Sequence, residues 1–469
     1  MPSVPSNGGV GLVGRYPALT LFVLAFSLYN ANLREISSYD TMATRMIPVS
    51  LLGSGDLNLD EFGFFYSGEY PTSPVVRDDA PMPERTPYWV QYRRGHYMPT
   101  FPAAAGILVT PVYAPAAVLG LLRDEDRVLL LATLLAKISA SLLAALSVGV
   151  VYLMARRLTG PREGVWVAVI YGFCTSTWAV SSQGLWQVAV SQPFLVFALY
   201  ALVRVREARP DESRWLALAG LFFALAVAAR PPNAVPAVVM SLYVLHSRPR
   251  RLHIFAAAPI VVATALFAHN LYWYDTLLGG YAATSVGGTV GAPSLAALAG
   301  LMISPSRGLF VFSPVLLFVL PGVRASLRDR RETLPLYSFA ALVSLMVLYS
   351  SWRYWHGHHA WGYRHLIDAL PFFALLLTLG IRPIIESRPA RRALVAAAIF
   401  SLTVQFVGAF NYPCGWDSGI DPFENQERLW SVTDTQIMRC LLSGPVYPDG
   451  LRLLTGAEVG TPVPDPELP

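Results

Sequence analysis

Asp40 is the carboxylate whose position most clearly suggests chemistry. It follows an apolar segment, residues 17–33, which as a helix is about 26 Å long and crosses most of a bilayer core. A carboxylate at the lipid–water boundary is costly unless it has a partner or a task. Asp40 is therefore a candidate general base for a hydroxyl or amine acceptor, or a metal ligand. The structural alternative is a helix cap or an ion pair with Arg34 or Arg45.

A second group of acids lies a short distance further along the chain, at Asp56, Asp60 and Glu61. On a helix, Asp56 and Asp60 would share one face and could bind a divalent cation. The alternative is a solvated loop with a turn at 53–55, which this spacing fits better. Together with His96, these acids are candidates for an acceptor site or a second acidic site.

Three arginines occur where arginine is otherwise rare, in the predicted outer connections: Arg230, Arg307 and Arg364. A guanidinium at the membrane interface can bind a lipid phosphate through two parallel hydrogen bonds. We expect at least one of the three to do so. The alternative is structural pairing with Asp275, Asp368 or backbone carbonyls.

Aromatic side chains are concentrated in residues 352–361, with a further example at Trp186. Trp186, Trp355 and Trp361 are candidates for stacking on a sugar ring, although tryptophan is also common at membrane interfaces. The same loop contains histidines that could hold a transition metal, but no acidic ligand lies among them. These histidines are His356, His358 and His359.

The composition identifies the class of protein. Of the 469 residues, 54% are apolar and 14% are charged, whereas about 25% charged is usual in soluble proteins. The arginines lie in short loops rather than on one basic face, so no nucleic-acid partner is expected. Lys137, the only lysine, lies within a predicted span and either serves a function there or pairs with a carbonyl. Cys174 is expected to be buried, and Cys414 and Cys440 could form a disulfide if the tail is periplasmic.

The hydropathy pattern predicts an all-α polytopic protein with about eleven transmembrane helices. The run 99–122 is also apolar and long enough to span but rich in proline, and we expect it to form interfacial helices on the outer side. The predicted spans are 17–33, 128–155, 165–183, 187–203, 215–229, 232–246, 252–272, 308–323, 333–352, 365–381 and 393–411.

Arginine placement orients these spans. If 99–122 does not cross, one set of short loops holds 18 arginines and the opposite set holds 4. The positive-inside rule then places the N-terminus in the cytoplasm. The predicted organisation is a cytoplasmic tail and first span (1–33), an outer loop (34–127), a helical bundle (128–411) and an outer, periplasmic tail (412–469).

The chain resembles the GT-C superfamily of membrane glycosyltransferases, which includes protein O-mannosyltransferases and aminoarabinose transferases. The resemblance extends over nearly the whole chain, and one of its subgroups is bacterial and uncharacterised. It depends on the order of several short motifs rather than on any one. The motifs are Asp40 after the first span, Tyr97–Pro102, Tyr152–Gly160, Leu185–Gln187, Arg230–Pro231, Asn270–Tyr272 with Gly280–Tyr281, Ser304–Leu309, and Gly362–His365 with Asp368 and Pro371.

The resemblance implies an activity. A sugar would move, with inversion, from a polyprenyl-phosphate donor to a glycan, lipid or protein acceptor at the outer face of a bacterial inner membrane. Asp40 would be the general base, the outer arginines would bind the donor phosphate, and no cofactor is certain beyond a possible divalent cation. Many relatives carry two adjacent acids where Asp40 stands between Tyr39 and Thr41. The alternative is a non-catalytic membrane protein, either a lipid or solute transporter or a polyprenyl-phosphate-binding partner.

Overall fold

The computed structural model describes residues 16–62, 86–207, 210–283, 290–329, 332–419 and 424–446. Residues 1–15, 63–85 and 447–469, which belong to the predicted terminal regions and outer loop, lie outside these ranges. The described residues form a bundle of helices with one two-stranded hairpin. The predicted all-α polytopic class is confirmed.

The elements follow the predicted spans closely. The first half contains α1 (Pro17–Asn30), α2 (Met42–Gly53), β1 (Val90–Arg93), β2 (His96–Pro99), α3 (Ala104–Val118), α4 (Glu125–Leu158), α5 (Pro161–Phe173), α6 (Gln187–Glu207), α7 (Glu212–Ala229) and α8 (Ala234–Ser247). The second half contains α9 (Leu252–Tyr274), α10 (Gly280–Ala283), α11 (Leu295–Ile303), α12 (Leu309–Phe312), α13 (Leu320–Arg328), α14 (Thr333–Ser350), α15 (Leu370–Glu386), α16 (Arg388–Asn411), α17 (Trp416–Gly419) and α18 (Gln436–Ser443).

Seven helices among the described residues are long and apolar enough to cross a membrane. The other predicted spans correspond to shorter helices, including α1, α5 and α8, so the count of eleven stays a prediction. The seven are Arg127–Leu158, Gln187–Glu207, Glu212–Ala229, Pro249–Tyr274, Thr333–Ser350, Arg364–Glu386 and Arg388–Asn411.

The predicted span 308–323 is not one continuous helix. The chain there forms α12, a 3₁₀ turn from Pro314 to Val319, and then α13. Pro314 disfavours the helical conformation in the residue before it, and Ser313 has φ −141° and ψ 65°. The first helix therefore ends at Phe312, and α13 begins only at Leu320.

The proline-rich run 99–122 is preceded by a feature that the sequence analysis did not predict. Strands β1 and β2 form an antiparallel hairpin with Tyr92 opposite Tyr97. Its two-residue turn has positive φ at Arg94 (52°) and Gly95 (87°), as a tight hairpin requires. Helix α3 follows, and the absence of a side chain at Gly106 lets it pack directly on α2.

The bundle core also accounts for Lys137. Its ammonium group is buried and donates to the carbonyls of Tyr29 (2.8 Å) and Ser182 (3.1 Å) and to Oε1 of Gln183 (2.7 Å). These bonds are the structural alternative considered for this lysine. Cys174 is buried and free, as expected.

Candidate active site

Asp40 lies on a short 3₁₀ turn, Tyr39–Thr41, between α1 and α2. The turn is formed locally, because the Ser38 hydroxyl accepts a hydrogen bond from the backbone N–H of Asp40 (3.3 Å). The Thr41 hydroxyl in turn donates to the carbonyl oxygen of Ser38 (2.9 Å). These bonds leave the Asp40 carboxylate free to point away from its own turn.

Arg45 holds this turn in place from within α2. Its buried Nη2 donates to the hydroxyl oxygens of Ser37 (2.9 Å) and Thr41 (2.8 Å), one on each side of Asp40. Its Nη1 donates to the hydroxyl of Thr133 on α4 (2.9 Å). The carboxylate of Glu35 lies 3.5 Å from Nη2 and balances the charge. The turn is thereby attached to the bundle rather than to its loop alone.

The Asp40 carboxylate has two partners from distant parts of the chain. The Tyr88 hydroxyl donates to Oδ1 (2.7 Å), and Nη1 of Arg364 donates to Oδ2 (2.9 Å). The Asp40 side chain is 30% exposed and that of Arg364 is 13% exposed. Asp40 therefore pairs with neither Arg34 nor Arg45, the partners considered from sequence, and remains open to solvent on one side.

Tyr88 is the residue of this group that the sequence analysis missed. Burial, followed by the negative charge of Asp40, raises the pKa of its phenol well above the ordinary value. The phenol therefore stays protonated and acts as a hydrogen-bond donor to the carboxylate. No spacing or motif around Tyr88 indicates this contact, because the segment that carries it has no regular pattern.

Arg364 is also fixed by an aromatic ring. Its guanidinium carbon lies 4.6 Å from the centroid of Trp186, and the indole N–H of Trp186 donates to the carbonyl of Ile36 (3.2 Å). A stacked guanidinium keeps its planar fork directed along the ring face. Trp186 is 5% exposed, so in this structure it supports the arginine rather than presenting a free face to a sugar.

A second ion pair is completely buried. Nη1 of Arg230 donates to Oδ2 of Asp368 (2.6 Å), and Asn233 donates to the same oxygen (3.0 Å). The Ser191 hydroxyl donates to Oδ1 of Asp368 (2.7 Å). Arg230 lies where α7 ends before Pro231, and its guanidinium carbon is 5.3 Å from the ring centroid of Tyr349.

Tyr281 lies close enough to both ion pairs for their charges to act on it. Its hydroxyl donates to Oε1 of Gln187 (2.8 Å), and the charges of Arg230, Asp40 and Arg364 shift its pKa. Burial is the largest cause and raises the pKa of Tyr281 to about 12. The two ion pairs thus belong to one polar group at one end of the bundle.

The neighbouring glycine lets Tyr281 reach this position. A Cβ on Gly280 would lie 2.2 Å from the carbonyl oxygen of Thr100, so only glycine permits α10 to approach the end of the hairpin. The contact continues through Tyr274, whose hydroxyl donates to the carbonyl of Pro99 (2.5 Å).

Arg307 lies in different surroundings from the other two arginines. It is 1% exposed, and its guanidinium donates to Oε1 of Gln436 (2.7 Å) and to the carbonyl of His358 (2.8 Å). It also contacts the carbonyl of Ala360 and the carboxylate of Asp417. The backbone carbonyls among these partners are the structural alternative considered for Arg307, and its remaining donor, Nε, is buried without a hydrogen-bond partner in the described structure.

The acids after α2 are not on a helix. Helix α2 ends at Gly53, and the following residues form turns, so Asp56 and Asp60 do not share a helical face and lie in the loop that their spacing fits better. Asp56 accepts from the Ser50 hydroxyl (3.0 Å), and Glu61 accepts from the Ser54 hydroxyl (3.3 Å).

Asp60 is engaged by the hairpin. Its Oδ2 lies 2.7 Å from Nδ1 of His96, and its Oδ1 accepts from the backbone N–H of Tyr97 (2.7 Å). The His96 ring packs edge-on against Trp273. Asp60 and His96 therefore form a half-exposed pair on the outer surface, apart from the contacts of Asp40.

The aromatic loop packs inward. Trp361 is 1% exposed and contacts the Phe312 ring at a centroid distance of 5.2 Å, and Trp355 is 7% exposed against Gly300. His356 is buried, and burial together with nearby positive charge lowers its pKa to about 2. Within the described ranges, no three His, Cys, Asp or Glu side chains are arranged to hold a metal ion.

An apolar groove of about 670 Å³ runs along α14. One end of the groove lies at Leu327 and Leu336. The other end lies at Val235 and Ser351, which are close in the chain to Arg230 and Tyr349, respectively. Nearly all of its lining is aliphatic or aromatic carbon. The described chain therefore combines a charged outer rim with a groove suited to a lipid tail.

The fold and site define a polytopic helical membrane protein with a charged group at one end of its bundle. Residues 112–273, about a third of the chain, match the family model described as dolichyl-phosphate-mannose-protein mannosyltransferase. A comparison with curated protein sequences finds no match.

Two solved structures are similar to this chain. ArnT from Cupriavidus metallidurans, bound to undecaprenyl phosphate, is 13% identical over 85% of this chain and 76% of its own, with a TM-score of 0.51. Oligosaccharyltransferase AglB from Archaeoglobus fulgidus, in complex with an inhibitory peptide and a dolichol-phosphate, is 12% identical over 90% of this chain and 60% of its own, with a TM-score of 0.47. The similarity to ArnT shows that the chain has the GT-C fold, which confirms the predicted resemblance.

Proposed function

We propose that this protein is a membrane glycosyltransferase that moves a sugar from a polyprenyl-phosphate donor to an acceptor hydroxyl at the outer membrane face. The observation that carries the proposal is the contact between Asp40 and Arg364, a half-open carboxylate beside a stacked guanidinium. It places a potential base next to a potential phosphate ligand, as sugar transfer requires. The binding of undecaprenyl phosphate by ArnT, which has the same fold, supports a polyprenyl lipid as the partner.

Asp40 acts as the general base in this proposal. Its carboxylate takes the proton of the acceptor hydroxyl, and the acceptor oxygen attacks the anomeric carbon. The bond between that carbon and the phosphate oxygen breaks, and the electron pair leaves with the polyprenyl phosphate. Because the attack occurs opposite the leaving group, the configuration at the anomeric carbon inverts.

Arg364 has two successive roles, one before and one after the donor binds. In the structure it pairs with Asp40 and occupies one oxygen of that carboxylate. A donor phosphate competes for the same guanidinium and, once bound, frees Asp40 to accept a proton. The base is thus activated when the donor is in place, and Arg364 stabilises the charge that develops on the departing phosphate.

Arg230 supplies further positive charge near the groove. Its Nη1 is bound to Asp368. We therefore propose that Arg230 contributes positive charge to the site and orients the side chains next to it. The polyprenyl tail occupies the apolar groove along α14, which reaches the segments carrying Arg230 and Tyr349. Arg307 is assigned no phosphate, because both terminal nitrogens of its guanidinium bind protein groups and the residue is buried.

The orientation is part of the proposal. The unequal number of arginines in the two sets of short loops supports a cytoplasmic N-terminus and an outward-facing site in a bacterial inner membrane. The Cys414–Cys440 disulfide also supports an outer location for the C-terminal tail, since disulfides persist in oxidising compartments. A divalent cation is an alternative counter-ion for the phosphate, and its contribution is measured by adding EDTA.

The test uses purified protein in lipid nanodiscs with radiolabelled polyprenyl-phosphate sugars and extracted membrane acceptors. Asp40→Asn should lower the transfer rate by a factor on the order of 10²–10⁴ while donor binding and thermal stability remain near wild type. Asp275→Asn is the matched control, because Asp275 is 70% exposed and pairs only with the surface residue Arg94 among the bonds described. Full activity in Asp40→Asn would exclude Asp40 as the base, and donor binding without transfer in wild type would favour a binding partner over an enzyme.

A further inference from the structure

The C-terminal tail carries apolar side chains on its exposed surface. We define the tail patch as five residues: Trp430, Val432, Met438, Leu441 and Leu442. Their exposed fractions run from 43% for Trp430 to 79% for Leu442. A small extramembrane region in water would not be expected to expose so many large apolar side chains together.

Helix α18 shows the arrangement most clearly. Met438, Leu441 and Leu442 have the spacing i, i+3, i+4 and so share one face. The opposite face holds Gln436 and Cys440, and both are completely buried. In an ordinary surface helix the apolar face packs on the protein and the polar face meets water. Here an apolar face remains exposed after the other face is packed.

The buried face of α18 is firmly bound to the bundle. Oε1 of Gln436 accepts from Nη1 of Arg307 (2.7 Å) and from the backbone N–H of Gly362 (3.0 Å). Cys440 forms the disulfide with Cys414, and its carbonyl accepts from the side chain of Asn411 (3.0 Å). These contacts determine which way α18 faces, so its exposed apolar face cannot turn inward without breaking them.

The position of α18 indicates what covers that face. Asn411 is the last residue of α16, so the bond to Cys440 attaches α18 at the outer end of a membrane-spanning helix. Helix α16 exposes its own apolar side chains, including Ile399, Phe400 and Phe406. The tail patch therefore lies beyond the end of a membrane-spanning helix that itself exposes apolar side chains.

We infer that the tail patch lies in the interfacial region of the outer leaflet, with Met438, Leu441 and Leu442 inserted among lipids. The tail is then bound to the membrane surface rather than surrounded by water. Tryptophan at the edge of such a surface agrees with this location, because Trp430 combines an apolar body with one polar N–H. Two arginines of the tail also agree with this location, since Arg428 and Arg439 pair with Asp434 instead of adding charge to the patch.

The test places a nitroxide spin label on single cysteines. The native cysteines do not compete for the label, because Cys174 is buried and the other two form the disulfide. Leu442→Cys reports on the tail patch. Ser443→Cys is the matched control, because it is exposed on the same helix but rotated by about 100° away from Leu442.

The labelled proteins are reconstituted in nanodiscs of phosphatidylethanolamine and phosphatidylglycerol, and collisions with oxygen and with a water-soluble nickel chelate are measured. We expect the oxygen-to-nickel accessibility ratio to be at least roughly fivefold higher at position 442 than at 443, since an interfacial helix buries its apolar face below the headgroups. Met438→Cys should repeat the result of Leu442→Cys. Equal, water-like ratios at 442 and 443 would overturn the inference, and so would protection of position 442 from both reagents, which would indicate a protein partner.

Discussion

The carboxylate of Asp40 and the guanidinium of Arg364 are separated by 324 positions in the chain and by 2.9 Å in space. One follows the first helix, and the other begins the segment that leads into α15. Neither residue can hold the other in place alone. The turn of Asp40 is fixed by Arg45, and Arg364 is fixed by Trp186. The pair is therefore preorganised from both sides before any substrate binds.

Arg364→Lys tests the role of the planar guanidinium. Lysine keeps the charge but loses the paired donors and the stacking on Trp186. We expect the transfer rate to fall roughly 10- to 100-fold and donor affinity to fall as well, measured as kcat and KM with the radiolabelled donor. The control is Arg353→Lys, an arginine of the same outer loop that contacts only Tyr354 among the described rings. Equal losses in both variants would count against a specific role for Arg364.

Tyr88→Phe removes one hydrogen bond from Asp40 and leaves the ring in place. We expect kcat to fall by about fivefold, since one such bond contributes about 1 kcal/mol. Burial keeps the Tyr88 pKa well above its ordinary value, so the phenol remains a donor in alkaline solution. The ratio of wild-type to variant rates should therefore stay constant between about pH 7 and pH 9. A ratio that falls to one within this range would mean that Tyr88 ionises there.

Arg307→Ala should destabilise the protein rather than weaken donor binding directly. The substitution leaves Asp417 buried without its guanidinium partner, and a lost buried partner costs about 3 kcal/mol or more. The measurement is the unfolding midpoint in detergent. Arg439→Ala is the control, because its pair with Asp434 is partly exposed and should contribute less than about 1 kcal/mol. A normal midpoint together with lost donor affinity would instead restore Arg307 as a phosphate ligand.

His356 makes stability depend on pH. Its pKa is about 2 in the folded protein, because of burial and nearby positive charge, against about 6.5 in an unfolded chain. Below pH 6.5 the unfolded chain binds a proton that the folded protein does not, so this residue lowers stability by roughly 1 kcal/mol per pH unit as the pH falls from 6.5 to 5. The unfolding midpoint should fall less between pH 7 and pH 5 in His356→Gln than in the wild type. His359→Gln, at an exposed position, should leave that loss unchanged.

The general architecture and part of the site could be predicted from the sequence. Apolar segments of spanning length predict helices wherever lipid or core surrounds them, and the arginine asymmetry placed Asp40, Arg230 and Arg364 on one side. The pairing of Asp40 with Arg364 rather than with Arg45 could not be predicted, because it depends on how distant helices pack. No pattern in the sequence indicates the contact of Tyr88 with Asp40 either.

Two features could not be settled from the sequence, for simple physical reasons. The helical face considered for Asp56 and Asp60 required a helix beyond Gly53, and the turn residues there end it, in agreement with the alternative of a loop. For Arg307, most of the partners are backbone carbonyls and side chains of the distant tail. Backbone carbonyls are available at every position, so no spacing of residue types can reveal such a partner in advance.

The position of the Arg307 partners has a consequence for synthesis. The ribosome makes the aromatic loop and Arg364 before it makes Asp417 and Gln436, which complete the buried contacts of Arg307. A nascent chain that has inserted all seven long helices still lacks these contacts. The loop next to the Asp40–Arg364 pair can therefore reach its folded conformation only after translation has passed residue 436. A shortened polypeptide should for this reason remain inactive in the membrane.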